Sequence, residues 1–437
     1  MRRREVLMGL AATGAAGGAG AATRPLNVIV VLTDDLGWGD LGSYGSKLIR
    51  TPNLDRMARQ GVRMTDFYAS ANICTPSRAG LLTGRYPIRS GLAHEVIQPP
   101  DTHGLKTSET TLAKALKPDY ATALIGKWHL GHAAPSWPPT NHGFDLFSGL
   151  PYSHDMKPLA YYEGEAGGDL AKEDEVDLPR LTERFFARSR RFIEDNRDRP
   201  FFLLLALTAP HLELLPHPDH KGRSRAAAYG DVVEEVDAEM GRLLEHLKTL
   251  SLDRQTLVIF TSDNGPWFEG SAGPMRDRKG GASWDGGYRV PFVAWAPGRL
   301  PAGRVIREIA MNIDILPTVL AMAGRPLPPV ELDGRDLTPT LTQGAASPHD
   351  TLLMFNNEQL AAIRTDRWKY VVRSYYRRLD LPWTDRYGPM LFDVRADPAE
   401  AYNLASLHPD VVADLKGRFD RAKAAFEPLG TRYKPPA

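Results

Sequence analysis

A chain of 437 residues with 42% hydrophobic and 24% charged side chains has the balance of an ordinary globular protein, long enough for roughly two or three domains. Its 54 basic and 53 acidic side chains nearly cancel, which leaves no overall basic field for nucleic acid. A single cysteine, Cys74, excludes an intramolecular disulfide framework.

From the N-terminus, Arg2, Arg3 and Arg4 precede Val6, Leu7 and a weakly apolar stretch rich in Ala and Gly. This predicts a twin-arginine export signal over residues 1–23, and hence a bacterial protein that is periplasmic or secreted. The other strong apolar run, FFLLLALTAP from Phe201, is too short to span a bilayer and reads as a buried strand. No stable membrane insertion is expected.

NVIVVLT from Asn27 is a β-branched run without polar alternation, as in a parallel strand covered on both faces. In TPNLDRMARQG, Thr51 is a cap candidate, Pro52 suits the first helical position and Gly61 closes the helix. VRMTDFYAS then reads as one strand, and CTPSRAGLLTG as a second helix beginning near Cys74. The alternation continues with strands at ATALIGKWH, FFLLLAL, TLVIFTS and VPFVAWA, and helices at LTERFFARSRRFIEDN, DVVEEVDAEMGRLLEHLKTL and IDILPTVLAMAG. This predicts an α/β fold with a mostly parallel or mixed central sheet flanked by helices. Near residue 345 the pattern changes to short strands with turn signals and one closing amphipathic helix. Residues 24–345 are therefore expected to form an α/β domain, and 346–437 a small C-terminal unit of antiparallel strands and a helix.

The first strand ends in Asp34-Asp35, and TLVIFTS ends in Asp263-Asn264. Either pair alone is a turn or a helix cap. Both at the carboxyl ends of strands bring three carboxylates and an amide to one edge, a donor set for a hard cation such as Ca²⁺ or Mg²⁺. Lys127, His129, His132, His211, Lys279 and Arg78 supply positive or titratable groups at other predicted strand ends and loops. Together they describe a pocket for a tetrahedral oxyanion. Cys74, at a helix N-terminus, reads either as an activated thiolate or as a buried inert residue.

CTPSRAGLLTGR resembles the signature of the type I sulfatases, within the alkaline phosphatase superfamily. NVIVVLTDDLGWGDLGSYG, GKWHLG, GLPYSHD, TSDNG and LFDVRADPAEAYNLA are similar to further landmarks of that family, in its order, and GLPYSHD is closest to the arylsulfatase A branch. The resemblance implies that a formylglycine-generating enzyme oxidises Cys74 to Cα-formylglycine during maturation. It implies one Ca²⁺ ion, rather than Mg²⁺, held by Asp34, Asp35, Asp263, Asn264 and the modified Cys74. Arg78 and Lys127 would hold the formylglycine and sulfate, and His129 would serve the aldehyde hydrate. His211, Lys279 and Ser153 would face the substrate, an aryl or carbohydrate sulfate ester. Two other readings stay open: a phosphonate or phosphate ester hydrolase of the same superfamily, and an inactive homologue that binds sulfated glycans. The chain is short for an animal-type arylsulfatase. The stretch YYEGEAGGDLAKEDEVDLPR and the residues Tyr375, Tyr376, Arg377, Arg378 and Trp383 are its candidate pocket walls.

Overall fold

The computed structural model describes residues 25–281, 283–376, 379–382 and 388–431. The export signal expected over 1–23 lies outside them, as do Arg377, Arg378, Trp383 and the side chains of Tyr375 and Tyr376.

The β-branched run beginning at Asn27 forms β1 (Asn27–Thr33), buried along its whole length. Chain order then gives α1 (Pro52–Gln60), β2 (Val62–Met64), β3 (Phe67–Tyr68), α2 (Cys74–Thr83), α3 (Leu112–Leu116), β4 (Ala121–Lys127), β5 (Leu146–Leu150), β6 (Tyr161–Glu165) and β7 (Ala171–Glu173). Next come α4 (Leu181–Asp195), β8 (Phe201–Ala206), α5 (Ala227–Thr249), β9 (Thr256–Ser262), α6 (Asp285–Tyr288), β10 (Phe292–Trp295), β11 (Arg304–Ile306), β12 (Ala310–Met311), α7 (Ile315–Met322) and α8 (Thr338–Gln343).

Ten strands make one sheet in the order β11-β2-β10-β9-β1-β8-β4-β5-β6-β7. Its middle, β9-β1-β8-β4-β5, is parallel throughout, whereas β10 and β6 run antiparallel to their inner neighbours. Alternate residues of β1 feed two cores. Val28, Val30 and Leu32 pack with α2, α3 and α7, while Ile29 and Val31 pack with α1, α4 and α5. Burial on both faces is why these strands read as continuous apolar runs. Gly126 in β4 has φ +114°, and a Cβ there would overlap the carbonyl oxygen of Ala206. Only glycine lets β4 close against β8 at the position just before Lys127.

VRMTDFYAS is two strands rather than one. β2 joins the large sheet and β3 pairs with β12. The break falls at Asp66, which is buried and ion-paired at 3.0 Å with both Arg289 and Arg364. A carboxylate committed to three guanidinium groups, with that of Arg395 at 3.5 Å, turns the chain out of the first sheet. The acidic stretch after Tyr161 forms the edge hairpin β6–β7.

Beyond residue 345 come β13 (Leu352–Asn356), β14 (Gln359–Arg364), β15 (Trp368–Val371), β16 (Arg373–Tyr376), β17 (Leu379–Pro382), β18 (Met390–Asp393) and α9 (Pro409–Phe426). β13-β14-β15-β18 is an antiparallel sheet with α9 packed on it. It shares one apolar core with Tyr68, Tyr86, Trp284 and Tyr288 of the preceding part of the chain. Buried Lys369 bridges Asp285 at 2.9 Å and Glu400 at 2.7 Å across the same seam. No described helix is long and apolar enough to cross a membrane.

Candidate active site

Parallel strands deliver their carboxyl ends to one edge, and the register of the central pair aligns them closely. Thr33 of β1 is level with Ser262 of β9, so Asp34-Asp35 and Asp263-Asn264 leave the sheet side by side. The amide of Asp263 donates to the carbonyl of Thr33 at 3.0 Å, and that of Asp35 to Oδ1 of Asp263 at 3.3 Å. Asp35 has φ +67° and His129 φ +58°, a region that non-glycine residues seldom occupy. Such conformations persist where the surroundings hold them, and both residues here are buried.

α2 brings Cys74 and Arg78 to this edge. It is buried on every side, and Gly84, at φ +66°, ends it. Asn312 fixes it by donating to the carbonyl and hydroxyl oxygens of Ser77, at 3.1 and 2.9 Å. Sγ of Cys74 lies 3.3 Å from Oδ1 of Asp34. One ligand atom from each of Asp34, Asp35, Asp263 and Cys74 falls within 4.8 Å of the others, all four residues buried.

Three cations interleave with these carboxylates. Nζ of Lys127, at the end of β4, is 2.6 Å from Oδ2 of Asp34. Nε of Arg78 donates to Oδ2 of Asp263 at 2.9 Å and its Nη1 to the Lys127 carbonyl at 3.0 Å. Nζ of Lys279 lies 2.8 Å from Oδ2 of Asp35. Nε2 of His211, beyond β8, is 3.7 Å from the same carboxylate, while its Nδ1 is 3.4 Å from Ser153 Oγ and bonds the carbonyl of Leu212.

The electrostatics follow from burial and these partners. Burial opposes ionisation of Asp34, but Lys127, His211, Arg78 and Lys279 outweigh it and hold the carboxyl well below its usual range. Asp263 is pushed up to about 6 by burial and by the neighbouring Asp34. Burial, then Asp34, pushes the Cys74 thiol well above its usual range. That disfavours an ordinary thiolate nucleophile here. Burial opposes the charge on Lys279, yet the carboxylates of Asp35 and Asp34 keep it protonated above the usual lysine range. His129 is held well below its usual value by burial, Lys127 and Arg78. Its Nε2 faces the Ile97 carbonyl at 3.0 Å, which makes that nitrogen the donor and leaves Nδ1 a buried lone pair without a partner.

These residues fit a hard divalent cation. Oδ1 of Asn264 is buried without a hydrogen-bond partner beside the three carboxylates, an oxygen that a cation would satisfy. Burial and Asp34 raise Asp263 despite Arg78 and Lys127, a cost that a divalent cation among the carboxylates would offset.

The candidate catalytic, substrate-facing and cation-binding residues except His132 converge here. His132 instead bonds the Pro99 carbonyl at 2.9 Å through Nε2 and packs edge-on against Tyr152. Sequence reasoning missed Thr75. Its hydroxyl donates to the His129 carbonyl at 2.9 Å and accepts from the Ile97 amide at 3.2 Å, tying the His129 loop to α2. A threonine one place after the cysteine carries no local signal of that role.

Residues 26–325 match the family described as "Sulfatase", and residues 282–425 the one described as "N-sulphoglucosamine sulphohydrolase, C-terminal". The chain is 37% identical to arylsulfatase A of Bos taurus over 92% of its own length and 90% of that protein. It is 36% identical to steryl-sulfatase of Mus musculus, covering 95% of this chain and 84% of that one. Its structure superposes on the PsFucS1 sulfatase from Pseudoalteromonas sp. with a TM-score of 0.85 at 31% identity, over 94% and 92% of the two chains.

Proposed function

The chain belongs to the sulfatase family and hydrolyses sulfate esters, and from that premise we propose that it does so with a formylglycine made from Cys74 and a Ca²⁺ ion. The observation that carries this reading is the buried thiol of Cys74, set among Asp34, Asp35 and Asp263. Burial and a facing carboxylate make it a poor nucleophile as it stands. As the precursor of an aldehyde, it needs no acidity of its own. A formylglycine-generating enzyme is then a required partner in maturation.

Asp34, Asp35, Asp263 and Asn264 would hold the ion. Three carboxylates here face Arg78, Lys127 and Lys279, so the charges of the chain itself roughly cancel. A bound divalent cation supplies the net positive charge that an anionic ester and its transition state require. A hydrated formylglycine supplies an oxygen nucleophile and, on the same carbon, a second hydroxyl for release of sulfate.

The remaining roles fall to side chains. Arg78 and Lys127, locked by Asp263 and Asp34, present fixed positive charge beside residue 74. His129 accepts a proton at Nδ1, the lone pair that its Ile97 contact leaves directed away. Lys279 and His211 stabilise or protonate the leaving oxygen through Nζ and Nε2. Ser153, buried next to His211, steadies that imidazole or contacts sulfate. The substrate class is an aryl or carbohydrate sulfate. Sulfate release measured on a panel of aryl and sugar sulfates, with the matching phosphate and phosphonate esters, tests the reading. Faster cleavage of the phosphorus esters would reassign the chemistry. Export to the periplasm or medium belongs to the same proposal, and fractionation of expressing cells checks it.

A further inference from the structure

Beyond the residues that face the substrate, one buried carboxylate ties two catalytic loops together. Asp40 follows the cation-binding pair by a few residues and is 2% exposed. Its oxygens accept from the Gly37 amide at 2.9 Å, from the Ser271 amide at 3.0 and 3.2 Å, and from the Tyr229 hydroxyl at 2.5 Å. The Gly39 amide answers with a bond to the Ser271 carbonyl at 2.7 Å. One loop therefore hangs from the other by reciprocal bonds. The hung loop begins at Asn264 and returns at Lys279, whose amide donates to the Pro266 carbonyl at 2.9 Å. Gly270 has no room for a Cβ between Tyr229, Pro266 and Asp40, and Gly273 none against Trp38.

These donors to Asp40 are neutral, and burying a carboxylate among neutral groups is costly. Burial lifts its pKa to about 7, against the pull of Tyr229, Ser271 and Gly37. A neutral side chain would fill the space at lower cost, yet only a carboxylate accepts from two amides and a hydroxyl at once. We propose that Asp40 is a positioning residue: by clamping the loop of residues 265–279 to the loop after β1, it holds Lys279 at the leaving oxygen of the substrate. Tyr229, on α5, extends the clamp to the helical layer beneath.

The proposal rests on the role given to Lys279 above. Its test is a double-mutant cycle of Asp40→Asn and Lys279→Ala. The readout is kcat/KM on phenyl sulfate and on 4-nitrophenyl sulfate, with thermal denaturation alongside. Asp40→Asn is expected to lower kcat/KM about tenfold or more on phenyl sulfate, and less on the nitrophenyl ester, whose leaving oxygen needs little help. In the Lys279→Ala background it should cost less than about twofold, because two residues acting through one contact are not additive. Losses that multiply, or that are equal on both esters, overturn the proposal. If Lys279→Ala keeps the wild-type rate, the reading of Lys279 is what fails, and the positioning role falls with it. Should Asp40→Asn fail to fold, Tyr229→Phe removes one donor to the same carboxylate. It must then show the same dependence on leaving group and on Lys279, in smaller degree, or the proposal is wrong.

Discussion

The thiol of Cys74 points at Oδ1 of Asp34 across 3.3 Å, while the other oxygen of that carboxylate is held by Lys127 at 2.6 Å. One aspartate thus joins the cysteine, the candidate cation site and a fixed positive charge. Chemistry at residue 74 and a cation at the carboxylates would therefore be coupled through a single side chain.

Replacing Cys74 by Ser is expected to abolish multiple turnover, a loss of about a thousandfold or more, with little change in thermal stability. Serine carries one oxygen where a hydrated aldehyde carries two, so any serine sulfate formed has no second hydroxyl to expel it. Sulfate release followed well past one equivalent of enzyme checks this.

Removal of divalent cations should abolish activity and lower the melting temperature, and Ca²⁺ should restore both. At a hundredfold excess over its dissociation constant, the ion would stabilise the fold by about 2.7 kcal/mol. Asp263→Ala should lose most of that increment. Calorimetry with and without chelator on both proteins reads it directly.

His142 provides a test in pH. It is buried, its Nε2 bonds the Ser136 carbonyl at 3.0 Å, and burial lowers its pKa from 6.5 to about 4. The unfolded chain therefore takes up this proton first as pH falls. The contribution is intact above pH 6.5 and drains away toward pH 4, by roughly 3 kcal/mol in all. His142→Gln should flatten that part of the stability curve relative to wild type, as denaturant melts at several pH values will show.

Lys369→Met should destabilise the protein by about 3–5 kcal/mol, because it strands buried Glu400 without its cation and leaves buried Asp285 to Arg289 at 3.6 Å. Since Asp285 lies in the first part of the chain and Glu400 in the last, unfolding should stay cooperative across both. A separate early transition for residues 346–437 in calorimetry would contradict that.

Much of the site was legible because apolar strands end abruptly in chemistry. NVIVVLT runs into Asp34-Asp35 and TLVIFTS into Asp263-Asn264, and parallel strands must place such ends together. What the sequence could not show is that β1 and β9 are direct neighbours in near-level register, although 228 residues separate Asp35 from Asp263. The same limit hid Asp40 and Tyr229, whose hydrogen bond spans 189 residues. VRMTDFYAS misled for a related reason, since the partners of Asp66 that break the strand come from distant segments. Short elements at sheet edges, such as β6 and β7, carry too few apolar residues to signal a strand.

The central claim is that Cys74 is the precursor of the nucleophile. The most direct test is the mass of the tryptic peptide from Met64 to Arg78, taken from active protein co-expressed with a formylglycine-generating enzyme. A peptide lighter by the difference between a thiol-bearing carbon and an aldehyde, in proportion to specific activity, is the predicted result. An intact thiol in protein that turns over sulfate esters at full rate would contradict the account.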